Sequence, residues 1–280
     1  MGSGIAEAIA ASGKHAVIYE PAPAPIERSR AQLRASVQTA IARGKLTREG
    51  AENLLDRIVH TTRLDDLRSV DAVIEAVTED PQIKGELFGL LDELLPEAHF
   101  LASNTSSIPI AELAARTRRP ERVLGLHFFS PVPVMRLVEI VIALDTAPET
   151  IAVAETFAGD LGKHAIRTKD RSGFIVNMLL VPFLMAAVRM YEEGFASRED
   201  IDDGMRHGCG HPMGPLALCD LIGLDVLYAV CDSLYEEFKR PEYAPPPLLK
   251  RMVVSGHYGR KSGRGFYPYE PAAAVSGAAA

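Results

Sequence analysis

The chain has 280 residues, 47% of them hydrophobic, with a formal net charge of −7. That length can bury a sizeable core divided over two domains, and the acidic balance argues against a nucleic-acid partner. No apolar run reaches the length of a membrane span, since the longest, residues 174–188, is interrupted by Asn177 and Pro182.

The first residues lack the basic stretch that opens a signal peptide. Cys209, Cys219 and Cys231 have no C-x-x-C spacing, and the histidines are scattered. The chain therefore reads as cytoplasmic, with reduced thiols and no zinc site.

Residues 1–10 have helical composition and spacing, with Gly13 as a stop signal. Residues 15–20 read as a strand ending in Glu20, followed by the Pro-rich turn 21–25. Ile26, Leu33, Val37, Ala40 and Ile41 place a helix over 26–42. Its other side carries Arg28, Arg30, Arg34, Ser36 and Arg43. Ser36 and Arg43 lie two helical turns apart and share a face, which is either a solvated basic surface or a docking surface for an anionic ligand. A second helix over 48–58 completes a hairpin. Residues 70–77 read as the next strand, with Glu79 and Lys84 just past its end, where ligands collect in open α/β sheets. A helix over 83–95 and a strand over 100–103 follow. That strand runs into Asn104-Thr105-Ser106-Ser107, a cluster that either caps a helix or offers hydroxyls and amides to a ligand.

After a short helix over 110–116 come the two strands on which the chain is centred, 124–129 and 137–141. The first is apolar except for His127, the second except for Glu139. A lone charge in such a run is costly without a partner. The turn Pro131-Val132-Pro133 brings the strands near each other. Glu139 then meets His127, orients its ring and stabilises its charged form, the pairing of a general base with its carboxylate. The alternative is a core histidine and an edge glutamate that never meet.

A helix over 148–161 and a strand over 165–168 close the alternating pattern, which predicts a mainly parallel sheet covered on both faces. Past Asp170 helices take over, at 174–193, 199–207, 214–238 and 247–255, so a domain boundary is expected there. Residues 259–267 form a glycine-rich loop, and the Ala-rich tail 271–280 is expected to be disordered.

Several blocks in this order resemble the 3-hydroxyacyl-CoA dehydrogenase family, in particular its bacterial members. They are Ser103-Asn104-Thr105-Ser106-Ser107, the His127-Phe128-Phe129 block with Leu137-Val138-Glu139, Gly173-Phe174-Ile175-Val176-Asn177, His211-Pro212-Met213-Gly214-Pro215, and the Gly263-x-Gly265-Phe266-Tyr267 ending. The resemblance implies a Rossmann-like NAD-binding domain over residues 1–170 and an all-helical substrate and dimerisation domain over 171–270. It implies NAD as cofactor, a homodimer, and oxidation of an (S)-3-hydroxyacyl-CoA such as 3-hydroxybutyryl-CoA.

The same resemblance implies roles. His127 matches the catalytic histidine and Glu139 its partner. Ser106 matches a serine that contacts the substrate's C3 oxygen, close to cofactor and thioester. Asn177 matches an active-site asparagine. Glu20 stands where the family binds the adenosine ribose hydroxyls, which favours NAD over NADP. Gly2, Glu79, Lys84, Asn104 and Lys261 match further NAD positions, and Ser36 and Arg43 match positions that meet CoA. Ser130 departs from the family's asparagine.

The start departs further, since only Gly2 remains of a G-x-G-x-x-G turn and the first strand is missing. Met1 is therefore expected to be an internal residue, and a chain begun there to be poorly soluble with weak NAD binding. Two other readings stand beside the main one: a dehydrogenase of a free hydroxy or sugar acid in the same fold, and a truncated chain that no longer binds NAD.

Overall fold

The computed structural model describes residues 1–270, and the expected tail 271–280 lies outside them. Two compact units emerge, one of Met1–Arg171 and one beginning at Ser172. The first contains α1 (Gly2–Ala11), β1 (Ala16–Tyr19), α2 (Pro23–Ala42), α3 (Arg48–Leu55), β2 (Ile58–Thr61), β3 (Ala72–Glu75), α4 (Pro81–Leu94), β4 (Phe100–Ser103), α5 (Ile110–Ala114), β5 (Val123–Phe128), β6 (Leu137–Ile142), α6 (Pro148–Asp160) and β7 (His164–Lys169).

Local chemistry sets several of these boundaries. Asp80 caps α4 by accepting the N–H groups of Gln82 and Ile83, with Pro81 in the first helical turn. Thr47 caps α3 through the Gly50 N–H. The strand β2 was not expected from the sequence, which assigned residue 58 to a helix end. Ile58, Val59 and Thr61 are β-branched, but the segment is only four residues long, and pairing with β1 makes it a strand.

β3, β4, β5, β6 and β7 form one sheet in that order, parallel throughout except for the antiparallel pair β5–β6. β1 and β2 form a separate parallel pair. Helix α1 spans both sheets: Ile5 and Ala8 pack with Phe100, Leu124, Leu126 and Ile140, while Ala6 and Ala10 pack with Ala16, Leu33 and Val37.

Between β1 and β3 lies a cavity of about 960 Å³, bordered by Ile5 and Ile9 of α1 and by Val153 and Phe157 of α6. The N–H groups of Ala16 and Glu20 bond to β2-side carbonyls, so the alternate residues Val17 and Tyr19 turn their backbone groups into the cavity. On β3 the carbonyls of Asp71 and Glu75 bond to His99 and Asn104, so Ala72 and Ile74 do the same from the other side. We expect the amides of Val17, Tyr19, Ala72 and Ile74 to exchange hydrogen on the order of tenfold or more faster than those of Ile18 and Val73. Residue-resolved hydrogen exchange checks this, and equal protection along both strands would mean that the two edges are paired.

The second unit is helical: α7 (Val176–Glu192), α8 (Arg198–Asp203), α9 (Pro215–Ile222), α10 (Leu224–Phe238) and α11 (Pro247–Val254). Its core gathers Leu184, Met185, Val188, Leu216, Leu224 and Leu234. The single helix expected over 214–238 is two, because Gly223 adopts φ +102° and parts α9 from α10. Asp202 accepts the N–H groups of Leu216 and Ala217 at the start of α9. Asp220 accepts those of Phe266 and Tyr267 and the Tyr269 hydroxyl, which pins the glycine-rich loop to α9. Among the described residues no helix is long and apolar enough to cross a membrane.

Candidate active site

The apolar runs that isolate His127 and Glu139 become β5 and β6, and their antiparallel register sets the two residues directly opposite each other. Nδ1 of His127 lies 2.7 Å from Oε2 of Glu139. Glu139 is fully buried and His127 nearly so, with the Phe129 ring edge-on to the imidazole at 4.6 Å between centroids. The turn between the strands is held from outside: the Lys163 ammonium donates to the carbonyls of Val132 and Met135 at 2.5 and 2.8 Å. A carboxylate on Nδ1 fixes the tautomer and aim of the ring, so that proton exchange falls to Nε2.

The polar loop after β4 is tied to the same strand. Oδ1 of Asn104 accepts the Phe128 N–H at 2.8 Å, next to His127. The loop is also internally braced: the Ser103 hydroxyl accepts the Thr105 N–H, and the Thr105 hydroxyl accepts those of Ser107 and Ile108. Oε1 of Glu79 collects the Thr105 hydroxyl, the Ser106 N–H at 3.2 Å and the Ser107 hydroxyl at 2.9 Å. Burial pushes the Glu79 carboxyl up, but the Thr105 hydrogen bond and the Lys84 ammonium outweigh it and hold the group below the usual carboxylate range.

Lys84 is 1% exposed and points inward, its Nζ 2.7 Å from Oε1 of Glu75 and 3.3 Å from Oε2 of Glu79. Gly2 opens α1 and, with Glu20 just past β1, borders the cavity between the sheets. Among the described residues the Glu20 carboxylate makes no hydrogen bond or ion pair. On α2 the Ser36 hydroxyl donates to the Glu7 carboxylate of α1 at 2.8 Å, while Arg43 caps the helix and is exposed. Burial raises the Glu7 carboxyl, against the lowering effect of the Ser36 hydrogen bond. So the face shared by Ser36 and Arg43 is half occupied by a packing contact.

In the second unit, Asn177 stands in the first turn of α7, and the Lys261 ammonium pairs with Asp225 at 2.6 Å. His127, Glu139, Asn104 and the Ser106 loop thus form one cluster, with Glu79 and Lys84 behind the loop. Sequence reasoning missed Glu75, whose side chain is wholly buried between Lys84 and Ser103. The signal was present: Glu75 is a lone acid inside the apolar run 72–77, as Glu139 is in its own strand. Among the described residues no group of histidines, cysteines and carboxylates could hold a metal ion.

Two family models cover nearly the whole chain: "3-hydroxyacyl-CoA dehydrogenase, NAD binding domain" matches residues 1–171, and the corresponding C-terminal domain matches residues 173–269. A 3-hydroxybutyryl-CoA dehydrogenase of Mycobacterium tuberculosis is 52% identical over 272 residues, covering 96% of this chain and 95% of the relative. The crystal structure of M. tuberculosis FadB2 superposes with a TM-score of 0.94 at 52% identity, covering 96% and 95% of the two chains. The (S)-3-hydroxybutyryl-CoA dehydrogenase PaaH1 of Ralstonia eutropha gives 0.90 at 44% identity, again over 96% and 95%. Similarity of this depth, carried through both units, makes the chain a member of the 3-hydroxyacyl-CoA dehydrogenase family.

Proposed function

We propose that the chain is an NAD-dependent oxidoreductase that converts an (S)-3-hydroxyacyl-CoA, chiefly 3-hydroxybutyryl-CoA, to the 3-oxoacyl-CoA. The observation that carries this is the 2.7 Å pairing of His127 with a fully buried Glu139 beside the Asn104–Ser106 loop. The names borne by similar relatives supply the substrate class.

In this reading His127 takes the proton of the 3-hydroxyl through Nε2, while Glu139 holds the ring and stabilises the imidazolium. We assign Ser106 a hydrogen bond to the reacting oxygen, whose charge changes along the reaction, and Asn177 is assigned to the active site only through the family resemblance. Two observations fit NAD: the uncommitted Glu20 carboxylate at the end of β1 suits ribose hydroxyls, and the N-terminal N–H groups of α1, from Gly2, suit a pyrophosphate. Bound NAD supplies the hydride acceptor. Asn104 and Glu79 would border it from the loop side, and Lys84, engaged by two carboxylates, would act by fixing the charge and place of Glu79. Lys261 is assigned to the cofactor only through the family resemblance. The exposed Leu179, Phe195 and Val254 support a homodimer through the helical unit, and we take the enzyme to be cytoplasmic.

Following NADH formation with 3-hydroxybutyryl-CoA, free 3-hydroxybutyrate and a sugar acid tests the reading. Turnover confined to the thioester supports it, while preference for a free acid would assign the chain to the other branch of the fold. Absence of NAD binding by calorimetry would remove the enzymatic reading altogether. Arg43→Glu should raise KM for CoA substrates about tenfold and leave KM for a short thioester lacking the nucleotide unchanged, because an exposed guanidinium suits a phosphate. Equal effects on both substrates would return Arg43 to the solvated surface.

A further inference from the structure

We infer that Glu75 is a positioning residue for the reaction, acting on Ser106 through a buried chain of charges. The inference rests on the proposed role of the Ser106 hydroxyl. Glu75 ends β3 opposite Ser103 of β4, and its side chain is 0% exposed. Its carboxylate takes three donors: the Lys84 ammonium at 2.7 Å and the Val77 N–H at 2.6 Å on Oε1, and the Ser103 hydroxyl at 2.6 Å on Oε2.

Two of these contacts, those with Ser103 and Lys84, lead toward the loop that carries Ser106. Ser103 opens the loop and accepts the Thr105 N–H. Lys84 reaches past Glu75 to Glu79, and Glu79 holds the Thr105 hydroxyl, the Ser106 N–H and the Ser107 hydroxyl on one oxygen. The loop is therefore hung at both ends from carboxylates that share one buried ammonium.

Charge balance shows why Glu75 matters to this arrangement. A buried ammonium needs a compensating carboxylate close by, and Glu75 is the buried one while Glu79 is 40% exposed. With Glu75 neutral, Lys84 would draw on Glu79 alone. Glu79 would turn toward Lys84 and release donors of the Thr105–Ser107 loop. Ser106 would then lose the bond that fixes its backbone, and its hydroxyl would shift relative to the reacting oxygen. A misplacement of about 1 Å is enough to cost on the order of a hundredfold in rate.

The test is a cycle of Glu75→Gln and Ser106→Ala, with Ser103→Ala as a milder variant should Glu75→Gln fail to fold, since it removes only one bond of the carboxylate. We expect Glu75→Gln to lower kcat about tenfold to a hundredfold. We expect the same substitution to have little further effect on kcat in the Ser106→Ala background, while the thermal midpoint still falls in both backgrounds. Ser103→Ala should show the same pattern with a smaller loss. If Ser106→Ala lowers kcat and Glu75→Gln or Ser103→Ala multiplies that loss in full, or if either lowers only the thermal midpoint, Glu75 is merely structural and the inference fails by itself. If Ser106→Ala leaves kcat unchanged, the assignment of Ser106 fails first and takes the inference with it.

Discussion

Replacing His127 with glutamine is expected to lower kcat by about 10²- to 10⁴-fold, the usual contribution of a general base. Glutamine fills similar space on β5 and can still hydrogen-bond Glu139, so the strand pair and the thermal midpoint should hold. What is lost is the imidazole that takes the proton of the substrate's hydroxyl. NADH affinity, measured by fluorescence titration, should stay within about twofold, because the side chain is assigned to the substrate's hydroxyl and the cofactor contacts are assigned elsewhere. A rate loss that disappears at high NAD would move His127 from the chemistry to cofactor binding. Near wild-type turnover would take it out of the mechanism.

His127 and Glu139 were legible in the sequence because each is the one ionisable residue in an otherwise apolar run, and a short Pro-bounded turn joins the runs. Their meeting depends on register, which the turn and the buried faces decide together and which a string of residues shows only in outline. The helical unit was legible for a similar reason, with long apolar periodicity and no strand signals. Its finer structure was less so, since a positive φ at Gly223 splits one expected helix and only the packed structure requires that break. β2 escaped because a four-residue strand directly after a helix carries almost no period.

The loop cluster shows a different limit. Asn104, Ser106, Glu79 and Lys84 could be listed from the sequence, but the order in which they touch could not. Nothing in the spacing shows that Lys84 faces inward to Glu75, that one oxygen of Glu79 gathers three donors, or that Asn104 clips onto Phe128. Ser36 is a similar case. Its helix face was readable, yet its hydroxyl is committed to Glu7 on a helix that precedes it by many residues.

Replacing Glu139 with glutamine should lower kcat nearly as far, by about 10²- to 10⁴-fold, with little change in fold. The carboxylate is fully buried and accepts at 2.7 Å from Nδ1, so it selects the tautomer that keeps Nε2 open to the substrate's proton. An amide at that place can present its NH₂ to the ring, favouring the tautomer with hydrogen on Nε2, and it carries no charge to offset an imidazolium. Both effects act only through His127. The double variant Glu139→Gln/His127→Gln should therefore be no slower than His127→Gln alone, since groups that work as a unit are not additive. Single-turnover rates for the two single variants and the double variant, together with their thermal midpoints, check this. Losses that multiply would show that Glu139 contributes by a route other than the ring it touches. A Glu139→Gln enzyme with ordinary turnover would mean that the 2.7 Å contact has a purely structural use.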